Sequence, residues 1–229
     1  MAAMTDRDRQ HCALCANPHA RWFAEVRRRH YHRCARCDLT FLDPRQRPSR
    51  EEERAEYALH QNDPADPRYR RHLGRLLEPL VAPLPPGAEG LDFGCGPGPG
   101  VAAMLRERGL AVANYDPFFH PDPGVLERTY DVVVCTEVAE HFHHPGREFA
   151  RLARLLRPGG RLGVMTRLLT PKTDFPAWYY LRERSHVAFY SPATMAWLAR
   201  RFGWTLWQRL PDLTIFSRAA EPDPTGRGR

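Results

Sequence analysis

The chain has 229 residues, 42% hydrophobic and 27% charged, with a formal net charge of +7. That length allows one good core and a small appendage. The polar opening from Met1 to Gln10 is no export signal, and no apolar run is long enough to cross a bilayer, so a cytoplasmic protein without a membrane partner is expected. The first fifty residues hold eleven arginines against five acidic groups. Arg27, Arg28, Arg29, His30, Arg33 and Arg36 could meet RNA phosphates or an acidic partner. The chain also uses one lysine and thirty-three arginines, a composition habit under which solvated arginines are ordinary.

Cys12, Cys15, Cys34 and Cys37 form two C-x-x-C pairs with the spacing of a four-thiolate zinc site. Each pair delivers two sulfurs to one tetrahedral ion, and a segment this poor in aliphatics needs the metal to fold. Zinc is preferred over disulfides and over redox chemistry, because a redox C-x-x-C sits at a helix start in a βαβ setting. Residues 1–48 read as a zinc-ribbon-like module, closed by Phe41-Leu42-Asp43-Pro44. Linking helices follow over 49–82. Ser49 and Glu52 make a capping box ahead of a helix to about Leu59, and Asp66-Pro67 starts a second, whose Tyr69, Leu73, Leu76, Leu77 and Leu80 share a face.

Proline-rich residues 83–87 lead to the most informative stretch, Leu91-Asp92-Phe93-Gly94-Cys95-Gly96-Pro97-Gly98-Pro99-Gly100. Glycines at a strand end let backbone turn tightly and approach a ligand, and Pro97 suits the first position of the next helix. A G-x-G-x-x-G dinucleotide loop would need glycine at Pro99 or at Val101, so the nicotinamide reading is weakened in both registers. Asp92 within the motif suits a ligand with a positive end, such as S-adenosylmethionine, better than a pyrophosphate. A turn that only packs a helix on a sheet is the plainer alternative.

Three further segments join this loop: Val112 to Asp116, Tyr130 to His141, and Arg157-Pro158-Gly159-Gly160 leading into Arg161 to Thr166. Together, from about Leu91 to Thr166, they resemble the class I S-adenosylmethionine-dependent methyltransferases. The resemblance implies an α/β, Rossmann-like doubly wound sheet over 83–218. It implies a cofactor site of Asp92, Phe93, Gly94, Cys95, Gly96, Gly98, Asp116, Thr136 and Glu137, with Asp116 accepting the ribose hydroxyls. Pro117 to Tyr130 is too short for a helix plus a strand, so the third strand is expected to be reduced or missing, and the adenine contacts have no candidate. Cys95 and Cys135 read as small packing residues.

Pro145 to Arg157 reads as an amphipathic helix through Phe149, Leu152, Ala153 and Leu156. Thr170 to Tyr190 breaks the pattern with two prolines and the aromatics Phe175, Trp178, Tyr179, Tyr180, Phe189 and Tyr190, either a lid over an acceptor pocket or a flap covering the sheet end. Ser191-Pro192 starts another helix, Leu213 to Ser217 suits a last strand, and 219–229 reads as a disordered tail.

Glu137, Glu140 and His141 would share one face of a helix after the fourth strand, with His186 a fourth member from the aromatic segment. A Glu-x-x-Glu-His set with a distant histidine resembles ubiquinone-pathway catechol O-methyltransferases and small-RNA 2′-O-methyltransferases. That implies a divalent ion, Mg²⁺ or Mn²⁺, on Glu137, Glu140, His141 and His186, although two imidazoles suit Mn²⁺, Fe²⁺ or Zn²⁺ better than Mg²⁺. The alternative keeps the glutamates as packing or cofactor groups and His141 as a lone base. His141 and His186 are the catalytic candidates, and His143 and His144 read as solvated. Three functions stay open: methylation of a small acceptor, on oxygen; methylation of RNA gripped by the arginine-rich ribbon; and a docking subunit that binds cofactor without turnover. DNA is not expected as a partner, and the sequence does not fix the oligomeric state.

Overall fold

The computed structural model describes residues 9–59 and 63–221, so most of the expected tail and of the polar opening lies outside the described residues. Two sheets organise the chain. The N-terminal one is antiparallel, with β1 (Arg9–Gln10), β2 (Ala20–Val26), β3 (Arg29–Arg33) and β4 (Thr40–Leu42) in order, and its fifth strand comes from far along the chain. After β4, Ser49 and Glu52 form the expected reciprocal cap of α1 (Arg50–Tyr57). Asp66 caps α2 (Pro67–Val81), with Pro67 in its first turn.

The main sheet holds β5 (Glu89–Phe93), β6 (Ala111–Tyr115), β7 (Tyr130–Thr136), β8 (Leu156–Met165), β10 (Trp204–Leu210) and β11 (Leu213–Arg218). Their spatial order is β10-β11-β8-β7-β5-β6, with β6, β5, β7 and β8 parallel and β11 and β10 added antiparallel. Between β6 and β7 stand only an isolated bridge from Asp116 to His120 and a 3-10 turn at Pro123–Leu126. The third strand of the family pattern is therefore absent, as the short connection requires. Sequence reading found β11 but missed its hairpin partner β10.

Alternation along β7 splits the core between two faces: Val132 and Val134 point to one, Val133 and Cys135 to the other. On the first lie α2 and the short α3 (Gly100–Arg106), with Leu73, Leu76, Leu77 and Leu80 fully buried. Each such leucine contributes on the order of 2 kcal/mol. On the second lie α4 (Pro145–Leu155) and α5 (Pro192–Phe202), the latter capped by Ser191. The Arg157–Gly160 stretch that leads into Arg161 is itself part of β8, a strand that begins directly at Leu156. Arg157, held by Asp131 on the adjacent β7 and by Glu89 on β5 beyond it, ties β8 to both strands.

The second face does not stop at the main sheet. Cys12, Leu14, Ala20, Cys34, Cys37, Leu39 and Phe41 belong to the same buried cluster as Val133, Phe149 and Leu162. Strand β9 (Ala188–Phe189) completes the N-terminal sheet by pairing with β4, Thr40 opposite Phe189 and Phe41 opposite Ala188. Gly146, at the start of α4, donates its N–H to Ala13 O at 3.2 Å, and a Cβ there would stand 2.5 Å from Leu14 O. Of the aromatic segment, Phe175, Trp178, Tyr180 and Phe189 pack with Tyr31, Val26 and Leu42, while Tyr179 is exposed. Much of it is thus the joint between the sheets. No described helix is long and apolar enough to cross a membrane.

Candidate active site

A cavity of about 940 Å³ runs from the glycine turn after β5 to the exit of β7 and the segment around Tyr180 and His186. At the first end, Gly94 and Gly96 have φ of 78° and 63°, a region side chains disfavour. A Cβ on Gly94 would strike Val138 at 2.5 Å, whereas Gly96 faces open space and so offers bare backbone to the cavity. Asp116 braces the turn: its carboxylate accepts from Gly96 N at 3.1 Å, Phe118 N at 2.8 Å and Phe119 N at 3.0 Å. Pro97 lies in the turn, and α3 begins three residues later than its placement at a helix start implied. Asp92 is buried and Oδ2 has no hydrogen-bond partner. Burial, reinforced by the charge of Asp116, pushes its carboxyl up to about 7. Phe93, Cys95 and Thr136 also line the cavity, and burial raises the Cys95 and Cys135 thiols.

At the other end the helix expected to carry Glu137, Glu140 and His141 on one face is a single 3-10 turn, Ala139–His141, that starts after Glu137. Glu137 has φ 52°, a left-handed backbone that is strained outside glycine. Its side chain turns toward α2, Oε1 standing 3.3 Å from His72 Nε2. Glu140 is wholly buried, accepts a short hydrogen bond from the Tyr180 hydroxyl, and leaves Oε2 without a partner. Burial, with the Glu137 charge, pushes its carboxyl up to about 8.

Single ligand atoms of Glu140, His141 and His186 lie within 4.8 Å of one another; neither Glu137 nor Glu183 is part of that group. His141 Nδ1 is 3.2 Å from Ser185 O, and His186 Nδ1 is 2.7 Å from Tyr180 O. Carbonyls accept, so each Nδ1 carries the proton and each Nε2 faces the cluster. There Glu183 lies 3.2 Å from His186 Nε2 and 3.9 Å from His141 Nε2. Burial works against a charge on His186, but Glu183 and Glu140 outweigh it and hold the imidazole above its usual range.

Sequence reading missed Tyr180 and Glu183 as site residues, and also the roof supplied by α1. Tyr57 stacks edge-on to His141 at 5.0 Å and to Phe118 at 5.6 Å, while the Arg50 guanidinium sits 5.1 Å over Phe118. His143, read as solvated, stands 2.9 Å from Glu53 on the same helix; His144 is exposed. The only available signal was the i, i+3 spacing of Glu183 and His186.

In the N-terminal module the four sulfurs lie within 4.8 Å of one another, with Cys12–Cys37 and Cys15–Cys34 each 3.5 Å apart. Two equivalent turns present them: Ala16 N bonds Cys12 O, Asp38 N bonds Cys34 O, and both Ala16 and Asp38 are left-handed. Sulfurs on a tetrahedron with bonds near 2.3 Å would be roughly 3.8 Å apart, so the set fits a metal. Crowding splits the thiols: the Cys37 hydrogen bond draws Cys12 down to about 6, while burial pushes Cys15 up to about 12. Of the arginine run, Arg27 and Arg28 form the exposed β2–β3 turn, but Arg29 bonds Arg184 O at 2.8 Å and Arg33 pairs with Asp38 at 2.8 Å.

A family model described as a methyltransferase domain matches residues 65–209. Among solved structures, the chain is similar to a Pyrococcus horikoshii protein at 16% identity and TM-score 0.51, over 72% of this chain and 98% of that one. It is also similar to magnesium protoporphyrin IX methyltransferase from Synechocystis with bound S-adenosylmethionine, at 16% identity and TM-score 0.50, over 75% and 92%. An O-methyltransferase family protein from Burkholderia thailandensis aligns at 18% identity and TM-score 0.49, over 68% of this chain, which spans only 59% of that protein. At these identities the likeness is one of fold. No curated protein matches the sequence.

Proposed function

The chain belongs to the methyltransferase-domain family, and on that premise we propose that it transfers the methyl group of S-adenosylmethionine to a small acceptor, on oxygen. One observation carries the reading: a single cavity joins bare backbone at Gly96 and an unpartnered buried Asp92 oxygen to two imidazoles with fixed tautomers. Asp92 suits an ammonium, and Asp116 retains one lone pair, on Oδ2, for a ribose hydroxyl while it braces the turn. When bound, the donor supplies a methyl group already activated on a sulfonium.

The protein's share of the work is then to orient the acceptor and take its proton. A hydroxyl needs that help, and without an ion His141 and His186 present Nε2 to the cavity for it; with an ion on those nitrogens, activation of the hydroxyl passes to the ion. Tyr57 and Phe118 shield this end from water, and Tyr180 fixes Glu140. Glu140, His141 and His186 are the residues that would hold a divalent ion, which would lower the acceptor hydroxyl's pKa. The four cysteines would hold structural zinc. A small acceptor suits a cavity of this size and aromatic lining, and Arg29 and Arg33 are engaged internally.

Labelled methyl transfer into fractionated lysate tests the proposal. Label is expected in small metabolites and lost in His186→Ala. Label in RNA instead would favour the ribbon as a phosphate grip. Donor bound with label in neither fraction would favour a docking subunit.

A further inference from the structure

The divalent-ion centre suggested by the Glu-x-x-Glu-His pattern takes its acidic ligands from the residues at 137 and 140. The geometry points elsewhere. We propose that a first-row divalent ion is bound by Glu140, His141, Glu183 and His186, with Glu183 in the role that sequence reading gave to Glu137. This rests on the reading of the cavity's inner end as the acceptor site.

Glu183 is the group on which both imidazoles converge. Its Oε2 is 3.2 Å from His186 Nε2 and its Oε1 is 3.9 Å from His141 Nε2. Glu140 Oε1 closes the set at 4.0 Å from His186 Nε2, and its fully buried Oε2 has no partner. Neighbouring ligands of an octahedral ion with bonds near 2.1 Å stand about 3 Å apart. The three carboxylate–imidazole spacings of 3.2, 3.9 and 4.0 Å would each shorten onto an ion, and Glu183, which stands outside the group formed by Glu140, His141 and His186, would have to swing in by a side-chain rotation. The surroundings are those of a ligand set: Ser185 O and Tyr180 O fix the two Nδ1–H groups, the Ser185 hydroxyl donates to Glu183 Oε1 at 3.1 Å, and Tyr180 donates to Glu140. Two imidazoles with two carboxylates suit Mn²⁺, Fe²⁺ or Zn²⁺. Glu137 is engaged otherwise, with His72 Nε2 at 3.3 Å and the Tyr180 hydroxyl at 3.5 Å. Its left-handed backbone holds it apart from the 3-10 turn that carries Glu140 and His141. Glu183 reaches the two histidines from the aromatic segment, three residues before His186.

Full-length protein with its ribbon metal verified by elemental analysis is titrated with Mn²⁺, followed by calorimetry and by the spin resonance of the bound ion. S-adenosylhomocysteine binding is measured on the same samples. One Mn²⁺ per chain with nitrogen couplings is expected. Glu183→Gln weakens it by more than about a hundredfold, beyond the roughly ten- to hundredfold cost of losing a group that only supports a ligand, while Glu137→Gln changes it less than about threefold and Glu183→Asp restores part of it. Absence of Mn²⁺ binding, undiminished affinity in Glu183→Gln, or equal weakening by Glu137→Gln overturns the assignment. If S-adenosylhomocysteine still binds in those cases, the donor reading survives. If it does not bind at all, that reading fails whatever Mn²⁺ does.

Discussion

The two ends of the cavity are built in opposite ways. The donor end is local: β5, its glycine turn and the end of β6 supply Asp92, Gly94, Gly96 and Asp116 within twenty-five residues or so, mostly through backbone. The acceptor end is assembled from Tyr57 on α1, Glu140 and His141 after β7, and Tyr180, Glu183 and His186 from the aromatic segment. Its alignment runs through the N-terminal sheet. Leu42 N donates to Val187 O at 2.9 Å, Val187 N donates to Glu140 O at 2.8 Å, and the Tyr190 hydroxyl donates to Ala139 O at 2.8 Å. A backbone cradle can be encoded by one stretch of sequence, whereas a side-chain cluster from distant segments needs a scaffold to set its register.

The largest test of this contrast is ejection of the metal from the four cysteines with a thiol-reactive reagent. Structural sites of this kind supply on the order of 10 kcal/mol of folding free energy in isolated modules. Turnover should vanish and amide exchange should rise at Leu42 and Val187, while Leu91 and Val133 stay protected and S-adenosylhomocysteine still binds. Equal loss of protection in both sheets would erase the distinction.

Next in size, His186→Ala should lower kcat by about 10²–10⁴ with donor affinity within about threefold, read by steady-state kinetics and calorimetry. A matching loss of donor affinity would mean that the two ends are not separable.

Asp92→Asn should weaken donor binding by about tenfold and flatten its pH dependence. The sign follows from the raised carboxyl. Asp92 sits near 7 when folded against 3.8 for an unperturbed aspartate, so its contribution to apo stability is full below about pH 4 and is lost as pH rises through about 7. A cationic ligand favours the ionised form, so donor affinity should increase between about pH 6 and 8 in the wild type. An unchanged slope in the variant would remove Asp92 from the ammonium's site.

The smallest effect expected is that of Gly146→Ala. The added methyl would press on Leu14 O at 2.5 Å and cost about 1–3 kcal/mol, measured by urea unfolding. Neutrality would show that the contact between module and main sheet yields easily.

What could be read from sequence follows the same divide. The glycine turn, both C-x-x-C turns, the caps at Ser49, Asp66 and Ser191 and the missing third strand were legible, because each is fixed by residues adjacent in the chain. Glu137 was grouped with Glu140 and His141 because helical spacing would align them; the left-handed backbone at Glu137 broke that alignment. Glu183 carried only the i, i+3 spacing to His186 as a signal, since its other partner His141 lies far away in sequence. The aromatic run from Phe175 to Phe189 gave away its burial but not its target, the N-terminal sheet.

By itself the sequence determined most of the elements, the α/β order, the four-sulfur knuckles and the bare backbone of the donor end, since short-range sterics and hydrogen bonding decide such features. Only the tertiary structure decided that β9 joins the N-terminal sheet, that one core spans both sheets, and that Glu183 rather than Glu137 faces the two histidines. Those outcomes depend on long-range packing, which brings together residues whose spacing along the chain carries no record of their distance in space.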